Sequence, residues 1–484
     1  MGKAFMIAAT GSNTGKTTMT CGLLQAFVDR GQRVRSYKCG PDYIDPLFHE
    51  RILGVTCKNL DLFFTDEKIT RDLFWADGDR DLSIVEGVMG LYDGISPRED
   101  TASSYHLANV LQIPVFLTVD AKGMGRSLLA LIRGFLAMDT HHLIRGVILN
   151  RMTKSYYQMM APVIEEELSL PVLGYLPTME EISFESRYLG LTLPEEIEAI
   201  KEKVSLLGQT LSETIDLPRM LSLAGEVPRK EKSCRIAFRE KRIPIAVARD
   251  EAFCFYYRDN LRMLEEEGAE LIYFSPIHDR TLPENIGGLL LGGGYPELFA
   301  GGLSDNITMK DSIQKAISRG LPSLAECGGF LYLHDAILGE DGRRYPMCGM
   351  IPGDCFYTGK LVRFGYVSVE EKNKAFLKED TPYGPAIRGH EFHYYDSENN
   401  GSDAISTKPT GNRCWVSSFT GEEHWWGFAH LYYPSNPSFP RNFVNKCREF
   451  YLEERRIIST THRSHSGGSA KEGEEKLGST FQTH

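Results

Sequence analysis

Ala9-Thr10-Gly11-Ser12-Asn13-Thr14-Gly15-Lys16-Thr17-Thr18 ends one apolar run and opens a helical pattern. A glycine-containing loop in that setting cradles phosphates. The backbone N–H groups of Gly11 to Thr18 and the helix N-terminus supply the anion site. Lys16 would reach the β/γ-phosphates and Thr17 would ligate Mg²⁺. The usual first glycine of such a loop is Thr10 here, so the loop is a deviant form. ATP with Mg²⁺ is the expected ligand.

Two acidic segments follow apolar runs, Lys38-Cys-Gly-Pro-Asp42-Tyr-Ile-Asp45-Pro and Ile84-Val-Glu86-Gly-Val-Met-Gly-Leu-Tyr-Asp93-Gly. Ligands of parallel α/β sheets lie at the carboxyl ends of the strands, so these four carboxylates are expected near the γ-phosphate. Asp42 and Glu86, held by the ends of the second and third strands, are assigned with Thr17 to the metal. Asp45 and Asp93, further out on their loops, are assigned to the substrate. Asn150, at the end of the fifth strand, is assigned to the adenine edge.

A second chemistry appears at Ser323-Leu-Ala-Glu326-Cys327-Gly328-Gly329, which reads as strand, sharp turn and helix. Such an elbow exposes a nucleophile, and a helix N-terminus favours thiolate. Leu291-Gly292-Gly293-Gly294-Tyr295-Pro296-Glu297 also follows a strand. The amides of Gly293, Gly294 and Gly328 are candidates for an oxyanion hole. The base such a thiol needs is assigned to His430, in Trp426-Gly-Phe-Ala-His430. His390 and His393 lack an evident third ligand, which favours substrate-facing or structural roles over a metal site.

The surrounding elements fit these motifs. Short Val/Ile/Phe-rich runs at 4–9, 82–86, 115–119, 146–149 and 172–176 alternate with helical patterns at 17–30, 127–138 and 156–168, the mark of a parallel sheet covered on both faces. A second α/β unit begins at Ile243, and short runs after about 345 suggest antiparallel strands. The expected domains are 1–235 and 236–456, with a charged linker at about 226–243. A final helix is expected over 441–454, and the weakly apolar stretch 457–484 reads as a disordered tail.

The 484 residues carry a net charge of −11, which argues against a general nucleic-acid binder. No run approaches the ~18 apolar residues of a membrane span. The 10 cysteines form no CxxC pair and no secretory leader is evident, which together suggest a cytoplasmic protein with free thiols.

Taken together and in this order, the motifs resemble those of the cobyrinic acid a,c-diamide synthase family, within the glutamine-dependent amidotransferases. The resemblance covers about residues 3–455. It rests on the 38–46 and 86–94 segments, Gly292-Gly-Gly-Tyr-Pro-Glu, Ala325-Glu-Cys-Gly-Gly and Gly389-His-Glu-Phe-His-Tyr. It implies an α/β fold with an N-terminal P-loop domain like dethiobiotin synthetase and a C-terminal class I glutaminase-like domain. It also implies that ATP activates the a- and c-acetate carboxylates of a tetrapyrrole as acyl phosphates, which ammonia from glutamine displaces. Cys327 then corresponds to the glutaminase nucleophile and His430 to its base. Class I glutaminases usually carry Glu two residues after that His; here it is Tyr432, as in this branch of the group, which leaves the orientation of His430 open.

Nickel-sirohydrochlorin and hydrogenobyrinic acid remain alternative substrates. The rival from another class is a P-loop ATPase switch, which would lack the cysteine elbow and carry a second lysine early in the loop, where this chain has Thr10 and Gly11. The expected partners are tetrapyrrole and glutamine, with no nucleic acid and no membrane. A homodimer stays open.

Overall fold

A computed structural model of the chain describes residues 2–76, 80–179, 194–228, 241–377 and 382–466. The N-terminal sheet contains β1 (Gly2–Ala9), β2 (Val34–Cys39), β3 (Cys57–Leu60), β4 (Leu82–Glu86), β5 (Val115–Asp120), β6 (Ile144–Asn150) and β7 (Val172–Leu176). They lie in the order β3-β2-β4-β1-β5-β6-β7, and every neighbouring pair is parallel. Met6 and Val85 face one apolar layer and Phe5 and Ile84 the other, so these strands are apolar at successive positions. Helices α1 (Lys16–Asp29) and α2 (Ile44–Arg51) follow β1 and β2. The charged stretch expected to be linker starts as a strand, β8 (Gly225–Val227), which pairs antiparallel with β1. Residues 229–240 lie outside the described residues.

The second domain opens with β9 (Ile243–Ala248), β10 (Phe253–Phe255), β11 (Ala269–Phe274), β12 (Gly288–Leu291), β13 (Gly293–Gly294) and β14 (Ser323–Glu326), of which β9, β11, β12 and β14 are parallel. Its main sheet runs β11-β9-β12-β14 and continues through His424–Gly427, while β10 and β13 form a separate antiparallel pair. The antiparallel strands expected after 345 are a long ribbon, Ile351–Glu371 against Ala386–Ser397, to which His430–Leu431 pairs. The last helix is longer than the 441–454 expected, spanning Ser438–Ser466 and so running past 457. The remainder of the expected tail, 467–484, lies outside the described residues. Among the described residues all cysteines are free, and no helix is long and apolar enough to cross a membrane.

The polar edge strand β3 (Cys-Lys-Asn-Leu) was not evident as a strand, yet it is buried along its length. The second domain covers that edge and supplies its partners. Lys58 Nζ lies 2.9 Å from Asp259, which also pairs with Arg262 at 3.1 Å, and Tyr432 donates its hydroxyl to the Asn59 carbonyl at 3.4 Å. Around this edge, Asp61 accepts from Tyr366 at 2.6 Å, Phe63 stacks on Tyr366 at 4.5 Å and Phe64 on Tyr432 at 4.8 Å. The interface is continuous with the first domain's core, since Tyr257 and Tyr432 are part of the same apolar cluster as Tyr37 and Val85.

Without Lys58 the buried Asp259 carboxylate keeps, among the described residues, only its Arg262 pair. Lys58→Met is therefore expected to cost about 1–3 kcal/mol in urea unfolding, and Lys58→Met/Asp259→Leu to cost less than the sum of the two single variants. Additive losses in the double variant would show that the pair does not join the domains.

Candidate active site

The phosphate loop is a backbone structure. Gly15, at φ +89°, is the N-cap of α1 and offers no side chain to its first turn, so those amides stay available to an anion. A Cβ at Gly15 would also overlap the Asn150 amide. Asn150 donates to the Thr14 carbonyl at 2.8 Å and accepts from Arg151 N–H at 2.9 Å. These hydrogen bonds tie Asn150, the residue expected at the adenine edge, to the phosphate loop. Lys16 Nζ donates to Gly11 O at 3.0 Å and to Met89 O, tying the loop to the segment after β4. Burial, and then the nearby Lys38 charge, lower the Lys16 pKa to about 8, which phosphate oxygens would oppose.

A buried lysine organises the acidic residues. Lys38 Nζ lies 2.9 Å from Glu86, 3.8 Å from Asp42, and within hydrogen-bonding distance of Asp45. Burial alone would lower its pKa, but Asp45, Glu86 and Asp42 together raise it well above the ordinary value, so it stays cationic. The same contact outweighs burial at Asp45 and keeps that carboxyl ionised. Burial and the Asp45 charge push Glu86 the other way.

This arrangement corrects the expected depths. Asp45 is 7% exposed, in the first turn of α2 beside Lys38. Asp42 is the outer residue, its side chain 33% exposed and its carboxylate accepting from Ile44 N–H at 2.8 Å. The reason is the intervening helical turn, which brings Asp45 back under the strand ends. Asp93 is exposed, as expected, and accepts from Gly90 N–H at 2.8 Å.

Thr17 donates to Glu86 Oε1 at 2.8 Å. Glu86 Oε2 is buried without a hydrogen-bond partner among the described residues. That oxygen faces His49 Nε2 at 3.8 Å, while Oε1 carries the Thr17 contact; a carboxylate beside the P-loop hydroxyl is the kind of oxygen ligand that a hard divalent cation takes. Asp42 does not complete the expected trio directly; it joins Glu86 through the shared Lys38 ammonium. Among the described residues, no three His, Cys, Asp or Glu side chains form a ready metal cage.

In the second domain Cys327 sits at φ +47°, a strained conformation for a residue with a Cβ. Its N–H donates to Gly427 O at 2.9 Å and Gly329 N–H donates to Gly292 O at 2.9 Å. These bonds hold the elbow between the strand His424–Gly427 and the triple-glycine turn. A Cβ at Gly328 would lie 3.0 Å from Gly294 N, whereas a Cβ at Gly293 would overlap the His430 ring. Gly294 and Gly328 thus approach each other as an oxyanion hole requires, while Gly293 makes room for the imidazole.

Burial opposes the expected thiolate. Burial, then Glu297 and Glu391, push the Cys327 thiol up, and the Gly328 amide opposes them only in part. The helix at the elbow, Gly328–Leu333, has six residues.

His430 is 3% exposed, and its Nδ1 has no hydrogen-bond partner among the described residues. Its ring is placed by packing, at 5.0 Å from Tyr43 and 6.4 Å from Phe255. Tyr432, where a triad Glu would be, turns instead to Phe64 and Asn59 in the interface. His393 stacks on Phe428 at 4.0 Å and contacts Glu391 at 3.2 Å; His390 packs on Phe364 and Tyr366.

Residues 5–193 match a family described as the CobQ/CobB/MinD/ParA nucleotide binding domain, and residues 244–419 match the CobB/CobQ-like glutamine amidotransferase domain. The chain is 40% identical over 457 residues to a cobyrinate a,c-diamide synthase of Caldanaerobacter subterraneus subsp. tengcongensis, covering 93% of this chain and 99% of the relative. An enzyme of the same name from Priestia megaterium is 38% identical over 94% of this chain and 99% of its own length. The chain belongs to the cobyrinate a,c-diamide synthase family. It is a ligase of the glutamine amidotransferase type, with an N-terminal nucleotide-binding domain.

The motifs that named this family in the sequence left several site residues unmarked. Lys38 lies inside the first acidic motif but shows its role only when β2 and β4 are adjacent. Tyr43 and Glu326 were likewise motif letters. Glu326 is buried, raised to about 8 by burial, and accepts from Tyr433 at 3.4 Å.

Burial, then His390 and His393, lower the His430 pKa to about 3. The neutral, proton-accepting form therefore persists as pH falls through the ordinary histidine range. Glutaminase kcat/KM should show no acidic limb near 6.5 between pH 8 and 5. A limb with that midpoint would mean that His430 is solvated or is not the base.

Proposed function

We propose that the enzyme amidates the a- and c-acetate carboxylates of cobyrinic acid, using ATP and ammonia released from glutamine. The observation that carries this reading is the meeting of two chemistries across one interface. A phosphate loop with its acidic cluster lies on one domain, and a cysteine elbow with a buried histidine lies on the other. The 40–45 segment touches both.

On the synthetase side, Thr17 and Glu86 would hold Mg²⁺, which when bound neutralises charge on the phosphates. Lys16 and the loop amides bind the phosphates, and Lys38 keeps Asp45 ionised and Glu86 in place. A substrate carboxylate oxygen attacks the γ-phosphorus and ADP departs, leaving an acyl phosphate. Asp42 and Asp93, the outer carboxylates, orient the substrate by hydrogen bonds, since bare charge would repel it. Asp45 acts through Lys38.

On the glutaminase side, the Cys327 sulfur attacks the glutamine amide carbon while its proton passes to Nε2 or Nδ1 of His430. The oxyanion faces the Gly294 and Gly328 amides. His430 returns the proton to the leaving nitrogen, ammonia departs, and water releases glutamate from the thioester. Ammonia then attacks the acyl carbon and phosphate leaves. An acyl phosphate hydrolyses in water, and protonated ammonia cannot attack, so both sites work only when shielded.

Mass spectrometry of purified protein with ATP, Mg²⁺, glutamine and each candidate tetrapyrrole tests the substrate. The expected product from cobyrinic acid has two OH groups replaced by NH₂. Diamidation of nickel-sirohydrochlorin alone would overturn the assignment.

Cys327→Ala should abolish glutamine-driven synthesis and keep synthesis from ammonium salts. Lys16→Ala should lose both by a factor on the order of 10³, the worth of several kcal/mol of phosphate stabilisation. Glutamine-driven turnover in the first variant, or ammonium-driven turnover at full rate in the second, would contradict these roles.

A further inference from the structure

The ribbon of Ile351–Glu371 and Ala386–Ser397 has a buried face and an open one. Along its second strand Glu391, His393 and Tyr395 are buried, while Arg388, His390, Phe392 and Tyr394 alternate with them on the open face. Such a face is ordinarily polar. Here it carries rings. Phe392 is 50% exposed and Phe364, on the facing strand, 53%, and the two meet edge to face at 5.5 Å. They belong to one row, running from Phe63 through Tyr366, His390, Phe364 and Phe392 to Tyr394, each ring 4.5 to 6.1 Å from the next.

The backbone is strained to make this row. The ribbon register shifts twice between Tyr357 and Gly365, and Arg363 takes φ +50°. A bulge of this kind re-aims a side chain, and Phe364 is the side chain that follows. Lys408 clamps the bulge by donating to Arg363 O at 3.0 Å and Phe364 O at 2.6 Å. The Arg363 guanidinium is tied to Asp396 at 2.6 Å and faces Glu391 at 3.4 Å. Backbone strain held in place by its surroundings collects at ligand sites, and adjoining exposed rings mark a surface that something covers.

The inner end of the row reaches the synthetase site. Tyr366 donates to Asp61 at 2.6 Å. Asp61 directly follows β3, whose Asn59 side chain donates to the Gly40 and Asp42 carbonyls at 2.9 and 2.7 Å. Cations flank the row. Arg388 lies over Phe63 at 5.6 Å, and Lys408 and Arg413 both lie 5.6 Å from the Trp415 ring. The neighbouring acids are withdrawn, since Glu391 is buried and Asp396 is paired with Arg363. Burial, and then the Lys408 charge, lower the His390 pKa to about 4 and keep that ring neutral. On a chain of net charge −11, this strip is uncharged along its middle and basic beside it. A conjugated macrocycle with carboxylates around its rim has the complementary pattern, an apolar face inside an anionic edge.

We propose that the aromatic row centred on Phe364 and Phe392 is the platform on which the tetrapyrrole docks. The macrocycle lies with one face on the rings. Its rim carboxylates meet the flanking cations, and its inner edge overhangs the turn at residues 40–42, where an acetate carboxylate is activated. This rests on the reaction proposed above and adds the surface that selects a tetrapyrrole for it. The rings bind the macrocycle and touch no reacting atom.

The test uses the full-length protein, unmodified and as Phe364→Ala, Phe392→Ala and Phe392→Tyr. Binding of cobyrinic acid without ATP is measured by equilibrium dialysis, read by the visible absorbance of the corrinoid. Each alanine variant should weaken Kd on the order of tenfold, the worth of one lost aromatic contact, while Phe392→Tyr, which keeps the ring, stays within about twofold. In ammonium-driven synthesis the alanine variants should raise KM for cobyrinic acid to the same extent, with kcat within about threefold of normal. Hydroxyl-radical footprinting of the unmodified protein needs no variant: cobyrinic acid should protect Phe364 and Phe392 from oxidation.

Rings that stay equally reactive with cobyrinic acid bound, or an unchanged Kd in both alanine variants, overturn the platform. Alanine variants that split a dimer of the unmodified protein in sedimentation, with Kd for cobyrinic acid unchanged, would make the row a contact between copies of this chain and overturn it too. Each of these leaves the reaction standing. An unmodified protein that forms no amide on any tetrapyrrole from either nitrogen source overturns the reaction itself, and this inference with it.

Discussion

The ammonium of Lys38 is a full charge buried where three carboxylates converge, and much of the active structure is arranged to satisfy it. A buried charge is tolerated only when paired, so Glu86 at the end of β4 and Asp45 in α2 must both approach Lys38 at the end of β2. That requirement sets the path of the chain between them. It places Glu86 beside Thr17 and the phosphate loop, and it curls residues 40–45 so that Tyr43 projects into the other domain. A lysine here joins the nucleotide site to the glutaminase.

The interface built on this segment is not a loose contact between two domains. It carries a buried ion pair, stacked aromatic rings and hydrogen bonds to an otherwise exposed sheet edge. This suits the proposed reaction, in which an acyl phosphate must not meet water and ammonia must arrive unprotonated. A dry, aromatic boundary serves both needs, because it excludes water and offers ammonia no acid that would hold it. The low basicity that burial gives His430 has the same origin: the proposed base is kept neutral by the dryness that would protect its product.

What could be read from the sequence was local. The phosphate loop and the cysteine elbow are contiguous motifs whose geometry follows from a strand, a tight turn and a helix. The α/β order followed from apolar runs, and Ser127–Met138, Leu82–Glu86 and Val172–Leu176 fall where their patterns put them. The rest depended on partners remote in the chain. β3 is polar because Asp259 and Tyr432 satisfy it. Asp42 and Asp45 exchanged depths because one turn of helix reverses the apparent reach of a loop. Cys327 looked like a thiolate because the turn and helix are visible in sequence, whereas the burial that opposes it belongs to the fold. Tyr432 was read as a missing acid; its position instead serves the interface.

The central claim is that the buried acidic cluster is where a substrate carboxylate takes a phosphoryl group before ammonia arrives. Isotope transfer tests this most directly. Cobyrinic acid with ¹⁸O in its acetate carboxylates is turned over with unlabelled ATP, and the inorganic phosphate is analysed by mass spectrometry. The account expects one ¹⁸O in phosphate for each amide formed, because the carboxylate oxygen that attacked phosphorus leaves with it. Amide formed with wholly unlabelled phosphate would mean that the carboxylate is never phosphorylated, and would contradict it.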